Sequence, residues 1–230
     1  MKKAKDVKVM IRNLKSLGLG LVAAAALWVA APSSAQATTP QLLVLNTATV
    51  SGNSIGLHTF TIDGNSVECS FAPFGAVGTV NGGQTWITVH PNYGSCKAFT
   101  FLNANVNTEG CNYEFMATGN ESSGRWANGQ MKISCSLGSS IVINAGSGAC
   151  VATLNSQTVN SGISFVNTEA SPMDFHLEAL VATVVVNKTV DGFGCPFNST
   201  GSTFGSYTGL SEMRCSNENG TWTACTLTDM

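Results

Sequence analysis

His58-Thr59-Phe60-Thr61-Ile62-Asp63-Gly64-Asn65-Ser66-Val67-Glu68-Cys69-Ser70-Phe71 is the stretch that decides the fold. Phe60 and Ile62 alternate with Thr59 and Thr61. Asp63-Gly64 then interrupts, and Val67, Cys69 and Phe71 alternate with Glu68 and Ser70. A period of two puts one set of side chains on each face of a pleated strand. Asp-Gly supplies the positive φ angles of a tight hairpin turn. A two-residue turn there sets Phe60 opposite Val67 and His58 opposite Cys69. The apolar face of such a hairpin needs another layer to cover it.

The same pattern recurs on both sides of this hairpin. Gln84 to His90 reads as a strand closed by Pro91. Cys111, Tyr113 and Phe115 alternate with polar residues, as do Met131, Ile133 and Cys135. Ile141–Ile143, Cys150–Leu154 and Ile163–Val166 are further short strands. Phe175–Val186 is the longest run. Its Val and Thr content favours strand, while its first half (DFHLEALVA) also fits two helical turns. Turns such as Asn81-Gly82-Gly83 and Asn128-Gly129 separate these runs. Many short strands at even spacing predict an all-β fold, an antiparallel sandwich or a barrel. The loop-like stretch 119–129 (GNESSGRWANG) either divides residues 38–230 into two domains or is a long loop within one.

Residues 1–37 read as an address. Six basic residues and one acid precede the apolar run Leu17–Ala31, and Ala35-Gln36-Ala37 follows. This is the layout of a secretory signal cleaved after Ala37. The apolar run is shorter than the ~20 residues that a membrane span requires.

Only 10% of the chain is charged, against roughly 25% in an average soluble protein. Past residue 37 there are five cations (Lys97, Arg125, Lys132, Lys188 and Arg214) and twelve acids, a net charge of −7. Five scattered cations on a net anion argue against nucleic acid and against anionic lipid as partners. The expected partners are cell-wall or other extracellular glycan, or further copies of the chain joined through exposed strand edges. The expected location is the medium or the cell envelope.

Cys69, Cys96, Cys111, Cys135, Cys150, Cys195, Cys215 and Cys225 all follow the leader. An even count in an exported chain reads as four disulfides. With no C-x-x-C and no His beside a Cys pair, the spacing suits neither a metal site nor a cofactor. Cys215–Cys225, flanking the polar turn 216–220, is the clearest pairing. Proximity suggests Cys135–Cys150 and Cys96–Cys111 next, and elimination then leaves Cys69–Cys195.

Catalytic patterns fail on context. Gly52-Asn53-Ser54-Ile55-Gly56 matches G-x-S-x-G, but a strand follows where a nucleophile elbow needs a helix, so it reads as a turn. Asp174, His176 and Glu178 share one face of a strand without a matching nucleophile, and read as a solvent-facing side. His176-x-Glu178 with Cys195-Pro196 lacks the Pro-Cys-x-x-Cys order of zinc deaminases. His90 reads as a strand-end residue. Trp86, Trp126, Trp222, Tyr93 and Tyr113 are the aromatics available for stacking on a sugar. Among them Trp86 reads as core, whereas Trp126, beside Arg125 in the 119–129 loop, is the candidate ligand contact. No catalytic residue is assigned.

Ile87-Thr88-Val89-His90-Pro91-Asn92-Tyr93-Gly94-Ser95-Cys96, Gly110-Cys111-Asn112-Tyr113, and the strands bearing Cys135 and Cys150 resemble a group of exported, Cys-containing β-rich proteins of actinobacteria. The similarity covers most of 57–195. It implies export and β-structure and carries no activity. The functional expectation is therefore an exported, non-catalytic β-protein with a binding or structural role at the cell surface or in the medium. The alternative is an extracellular carbohydrate-binding module or hydrolase.

Overall fold

The computed structural model describes residues 40–44, 47–118, 121–168, 173–190, 195, 197 and 200–229. The leader expected over 1–37 lies outside them. The described residues hold eighteen strands and no helix. The first nine are β1 (Pro40–Val44), β2 (Thr49–Ser54), β3 (His58–Ile62), β4 (Asn65–Phe71), β5 (Phe74–Ala76), β6 (Trp86–Pro91), β7 (Gly94–Ala98), β8 (Leu102–Asn107) and β9 (Cys111–Met116). The remainder are β10 (Glu121–Ser122), β11 (Arg125–Cys135), β12 (Ile141–Ala145), β13 (Cys150–Leu154), β14 (Gln157–Asn167), β15 (Asp174–Val190), β16 (Gly201–Ser216), β17 (Trp222–Thr223) and β18 (Cys225–Asp229). The predicted hairpin is β3–β4, with Phe60 opposite Val67 and His58 opposite Cys69. Its turn residues Asp63 and Gly64 have φ of 50° and 77°. The 175–182 segment is strand throughout, as its β-branched content favours.

The hydrogen-bond ladder closes on itself twice. β11, β14, β15, β16, β2, β5, β6 and β9 form one ring of eight. β15, β13, β12, β8, β7, β4, β3 and β16 form a second. Of the two architectures expected, the barrel is the one adopted. The rings share the long β15–β16 ribbon. β14 pairs with β15 at residues 175–179 and β13 with residues 187–190. On the other side, β2 takes residues 211–216 of β16 and β3 takes 205–208. The barrels are thus stacked along one ribbon. A bulge between Val181 and Val184 inserts one extra residue in β15. It moves the inward set from Phe175, Leu177 and Val181 to Val184 and Val186 without turning either barrel inside out.

The chain alternates between the rings. β3–β4, β7–β8 and β12–β13 belong to the second, while β5–β6, β9, β11 and β14 belong to the first. Each ring therefore draws strands from both sides of 119–129. Residues 121–135 are a hairpin rather than a loop. Ser123 and Gly124, with φ of 54° and 76°, make its turn between β10 and β11.

This alternation corrects the disulfide pattern. The bridges are Cys69–Cys96, Cys111–Cys135, Cys150–Cys195 and Cys215–Cys225. The last agrees with the sequence expectation. Cys135–Cys150, Cys96–Cys111 and Cys69–Cys195 do not form. Cysteines close in sequence sit in different rings: Cys96 on β7 and Cys111 on β9, Cys135 on β11 and Cys150 on β13. Cys69 instead lies directly opposite Cys96 on the neighbouring strand, and Cys111 opposite Cys135. Four disulfides fit an oxidising compartment. No described helix is long and apolar enough to cross a membrane.

Each barrel is plugged. β1 and β18 form a two-stranded sheet whose Leu227 faces Ile87, Phe115 and Phe165 at the end of the first barrel. The Asn167 carboxamide donates to the Leu227 carbonyl and accepts from its N–H, at 2.9 and 3.0 Å, as a strand residue would. At the far end of the second barrel, Phe197 meets Phe99 edge-on, with centroids 5.9 Å apart. There Lys188 and Asp63 form a buried ion pair, and Thr203 Oγ1 donates to Asp63 Oδ1 at 3.1 Å.

Candidate functional site

Arg125 and Trp126 do not form the predicted contact. Successive strand residues point to opposite faces. Arg125 points outward, while Trp126 is 2% exposed, on the strand beside Phe165. Trp126 is a core residue. Trp86, expected in the core, is 49% exposed at the start of β6. The same alternation explains the exchange: Ile87 and Val89 take the inward positions of β6.

Arg125 instead reaches Glu178 across β14 in an ion pair. Asp174, His176 and Glu178 do share one face of β15, the outer one, as their spacing implies. His176 stands opposite Glu212 and Asp174 opposite Arg214. Among the described residues no three His, Cys, Asp or Glu side chains are placed to hold a metal ion. Gly52, Asn53 and Ser54 are the end of β2 rather than a turn, and Ser54 Oγ accepts from the Ala72 N–H at 3.0 Å. His90 is near the end of β6, with Nδ1 2.9 Å from the Cys111 carbonyl.

The outer face of β16 and β2 carries a shallow groove of about 300 Å³, lined by Ser51, Gly52, Asn53, Glu212, Arg214 and Trp222. Local sequence builds it. The 217–221 turn closes on itself: Asn217 Oδ1 accepts from the N–H groups of Asn219 and Thr221 at 3.0 and 2.9 Å. β17 then pairs back on β16, placing Trp222 opposite Ser216, and the Cys215–Cys225 bridge ties the return. Trp222 is thereby held over Arg214, whose guanidinium carbon lies 5.6 Å from the ring centroid. Arg214 Nε donates to Glu212 Oε1 at 2.7 Å, and a second guanidinium N–H reaches the same oxygen. Stacking and chelation together fix a side chain that would otherwise sample many rotamers.

A second polar assembly lies inside, where the two barrels meet. His58, Tyr93, Tyr113 and Tyr207 form a hydrogen-bonded row, packed against Phe60 and Phe74. His58 Nε2 lies 3.3 Å from both the Leu210 carbonyl and Ser211 Oγ, so it carries the proton. Nδ1 is then the acceptor, and Tyr207 OH donates to it at 2.7 Å. Each hydroxyl has one proton to give. The Tyr207 oxygen therefore accepts from Tyr93 at 2.9 Å, and Tyr93 accepts from Tyr113 at 3.1 Å. Burial lowers the His58 pKa from 6.5 to about 4, partly opposed by the Leu210 carbonyl. Burial raises all three tyrosines. This row is closed to solvent and structural.

No protein-family model, curated protein or solved structure matches the chain. Sequence reasoning named Trp222 as one aromatic among five but did not bring Arg214, Glu212 and Asn53 to it. The available signal was Trp222 directly following the polar 217–221 turn, inside the short Cys215–Cys225 loop.

Proposed function

We propose that this is an exported, non-catalytic β-protein that binds glycan at the cell surface or in the medium through the Trp222 groove. The observation that carries this reading is the half-exposed Trp222, fixed beside the Arg214–Glu212 pair and flanked by Asn53 and Ser51. A sugar ring offers a C–H face that packs on an aromatic ring and hydroxyls that both give and accept hydrogen bonds. The groove supplies the aromatic ring, guanidinium and carboxamide donors, and carboxylate and carboxamide acceptors. Its formal charges cancel, which suits a neutral polyhydroxyl better than a phosphate. The four disulfides and the leader-like residues 1–37 support export.

Native electrophoresis through gels containing soluble polysaccharides, with retention on isolated cell walls, tests the reading. The native chain is expected to be retarded by at least one glycan. Trp222→Ala and Arg214→Gln should weaken that retardation about tenfold, the scale on which aromatic and Arg anchors act. Absence of retardation by every glycan, or unchanged retardation of both variants, refutes it.

A further inference from the structure

The groups assembled around Trp222 recur elsewhere on the same barrel. On the outer face of β6, β9 and β11, Trp86 stands opposite Met116 and Met116 opposite Gln130. The adjoining row runs Thr88, Glu114, Lys132 and Thr158. Lys132 Nζ donates to both oxygens of Glu114, at 3.0 and 3.1 Å. Trp86, Glu114, Met116, Gln130, Lys132 and Thr158 line a groove of about 210 Å³. The set is again a half-exposed Trp, a cation–carboxylate pair of zero net charge and a carboxamide.

The position of this strip matters as much as its composition. In the closed order β11, β14, β15, β16, β2, β5, β6, β9, the strand β9 at the middle of the strip is four strands from β16 in either direction. The two grooves therefore face opposite sides of the first barrel. A single extended glycan lying along one groove cannot also occupy the other.

We infer that the Trp86 strip is a second glycan site, and that the protein bridges two separate glycan strands. The inference rests on the glycan reading of the Trp222 groove. Charge matching names the occupant. A neutral strip with donors from Lys132, Gln130 and Thr158, and acceptors from Glu114 and Gln130, complements a neutral polyhydroxyl chain packed on Trp86 and Met116. Recurrence of one set of groups on two faces points to one class of ligand.

The test uses the full exported chain with suspended particles of microcrystalline cellulose, chitin and isolated peptidoglycan. The native protein is expected to bind at least one particle type and to agglutinate it. Trp86→Ala and Trp222→Ala should each still bind, about tenfold more weakly, yet fail to agglutinate, and the double variant should do neither. Both tryptophans are half-exposed, so melting temperatures close to native are expected for all variants. Agglutination by Trp86→Ala overturns the second site while leaving the first intact. Binding to none of the particles overturns the glycan reading of both grooves. Light scattering supplies the remaining arm. A native dimer that dissociates in Trp86→Ala would show that the strip contacts another copy of the chain, and would overturn the inference.

Discussion

His58 makes the protein acid-sensitive in a defined window. The side chain is 1% exposed between the two barrels and is neutral in the folded state. Its pKa falls from 6.5 in the unfolded chain to about 4 on folding. Between those values the unfolded chain binds a proton that the folded chain excludes, so stability is lost as pH falls. At about 1.4 kcal/mol per pH unit of displacement, the loss approaches roughly 3 kcal/mol at pH 4. Above 6.5 the group is neutral in both states and contributes no pH dependence. Below 4 both states are protonated and the loss does not grow. The groups facing it (Tyr207, Tyr93, Tyr113 and Ser211) are uncharged throughout this range. A domain with 5–15 kcal/mol of stability should register such a change clearly. Urea unfolding measured from pH 7 to pH 4 on native protein and on His58→Gln separates this effect from that of the surface carboxylates, which both proteins share. The difference between the two stability curves should shrink by about 3 kcal/mol across the window. Proton resonances of His58 should show the ring neutral until near pH 4. Parallel stability curves, or a His58 resonance titrating near 6.5 in the folded protein, refute the reasoning.

Lys188 and Asp63 offer a test at the far end of the second barrel. Lys188→Met should lower stability by about 3–5 kcal/mol, because it leaves the Asp63 carboxylate buried without its cation. Lys188→Met with Asp63→Asn should recover much of that loss, as read from urea midpoints. Gly209→Ala should cost about 1–3 kcal/mol, since a Cβ there would lie 2.5 Å from His58 Nδ1 and displace the ring from Tyr207. The same variant should raise the His58 titration midpoint, which distinguishes a displaced ring from general loosening. Trp126→Ala should cost about 3–5 kcal/mol in the same unfolding assay, as removal of a core aromatic does. A change below 1 kcal/mol would return Trp126 to the surface, where the sequence reading placed it.

What was legible in the sequence was local. The register of β3 against β4 followed from Asp63-Gly64 and the alternation around it, because a two-residue turn leaves no freedom in pairing. Cys215–Cys225 was legible because only a short polar turn separates the two cysteines. The errors arose where structure depends on distant partners. Proximity along the chain suggested Cys96–Cys111 and Cys135–Cys150, but hairpins are dealt alternately to two rings, so neighbouring hairpins do not pair. Ser123-Gly124 was a usable hairpin signal inside 119–129. Reading it as such would have continued the alternation through Arg125 outward and Trp126 inward. Trp86 was misplaced because it stands at the first position of an apolar strand, where composition gives no parity and Ile87 and Val89 set it. The Trp222 groove was half legible: the turn announced Trp222 on its return, but Arg214, Glu212 and Asn53 reach it only through the pairing of β16 with β2 and β17.

Scarcity of charge makes the placement of each cation informative. Beyond residue 37 there are five cations, and four are in ion pairs. Lys97, the fifth, donates to Asn103 and stands opposite Glu68 on the neighbouring strand. Lys188 is buried with Asp63 and serves the barrel end. Arg125 reaches across β14 to Glu178 in a pair as exposed as those of the other two cations, Lys132 and Arg214. Fold stability alone gives no reason to set the remaining two, Lys132 and Arg214, in solvent-facing pairs, because exposed pairs contribute little. Each of these two nevertheless lies in a groove with a half-exposed tryptophan, on opposite faces of one closed ring. Among the described residues, closure of both rings pairs every ring strand on its two sides. On the outer faces, two of the three cations held in exposed pairs stand beside the tryptophans.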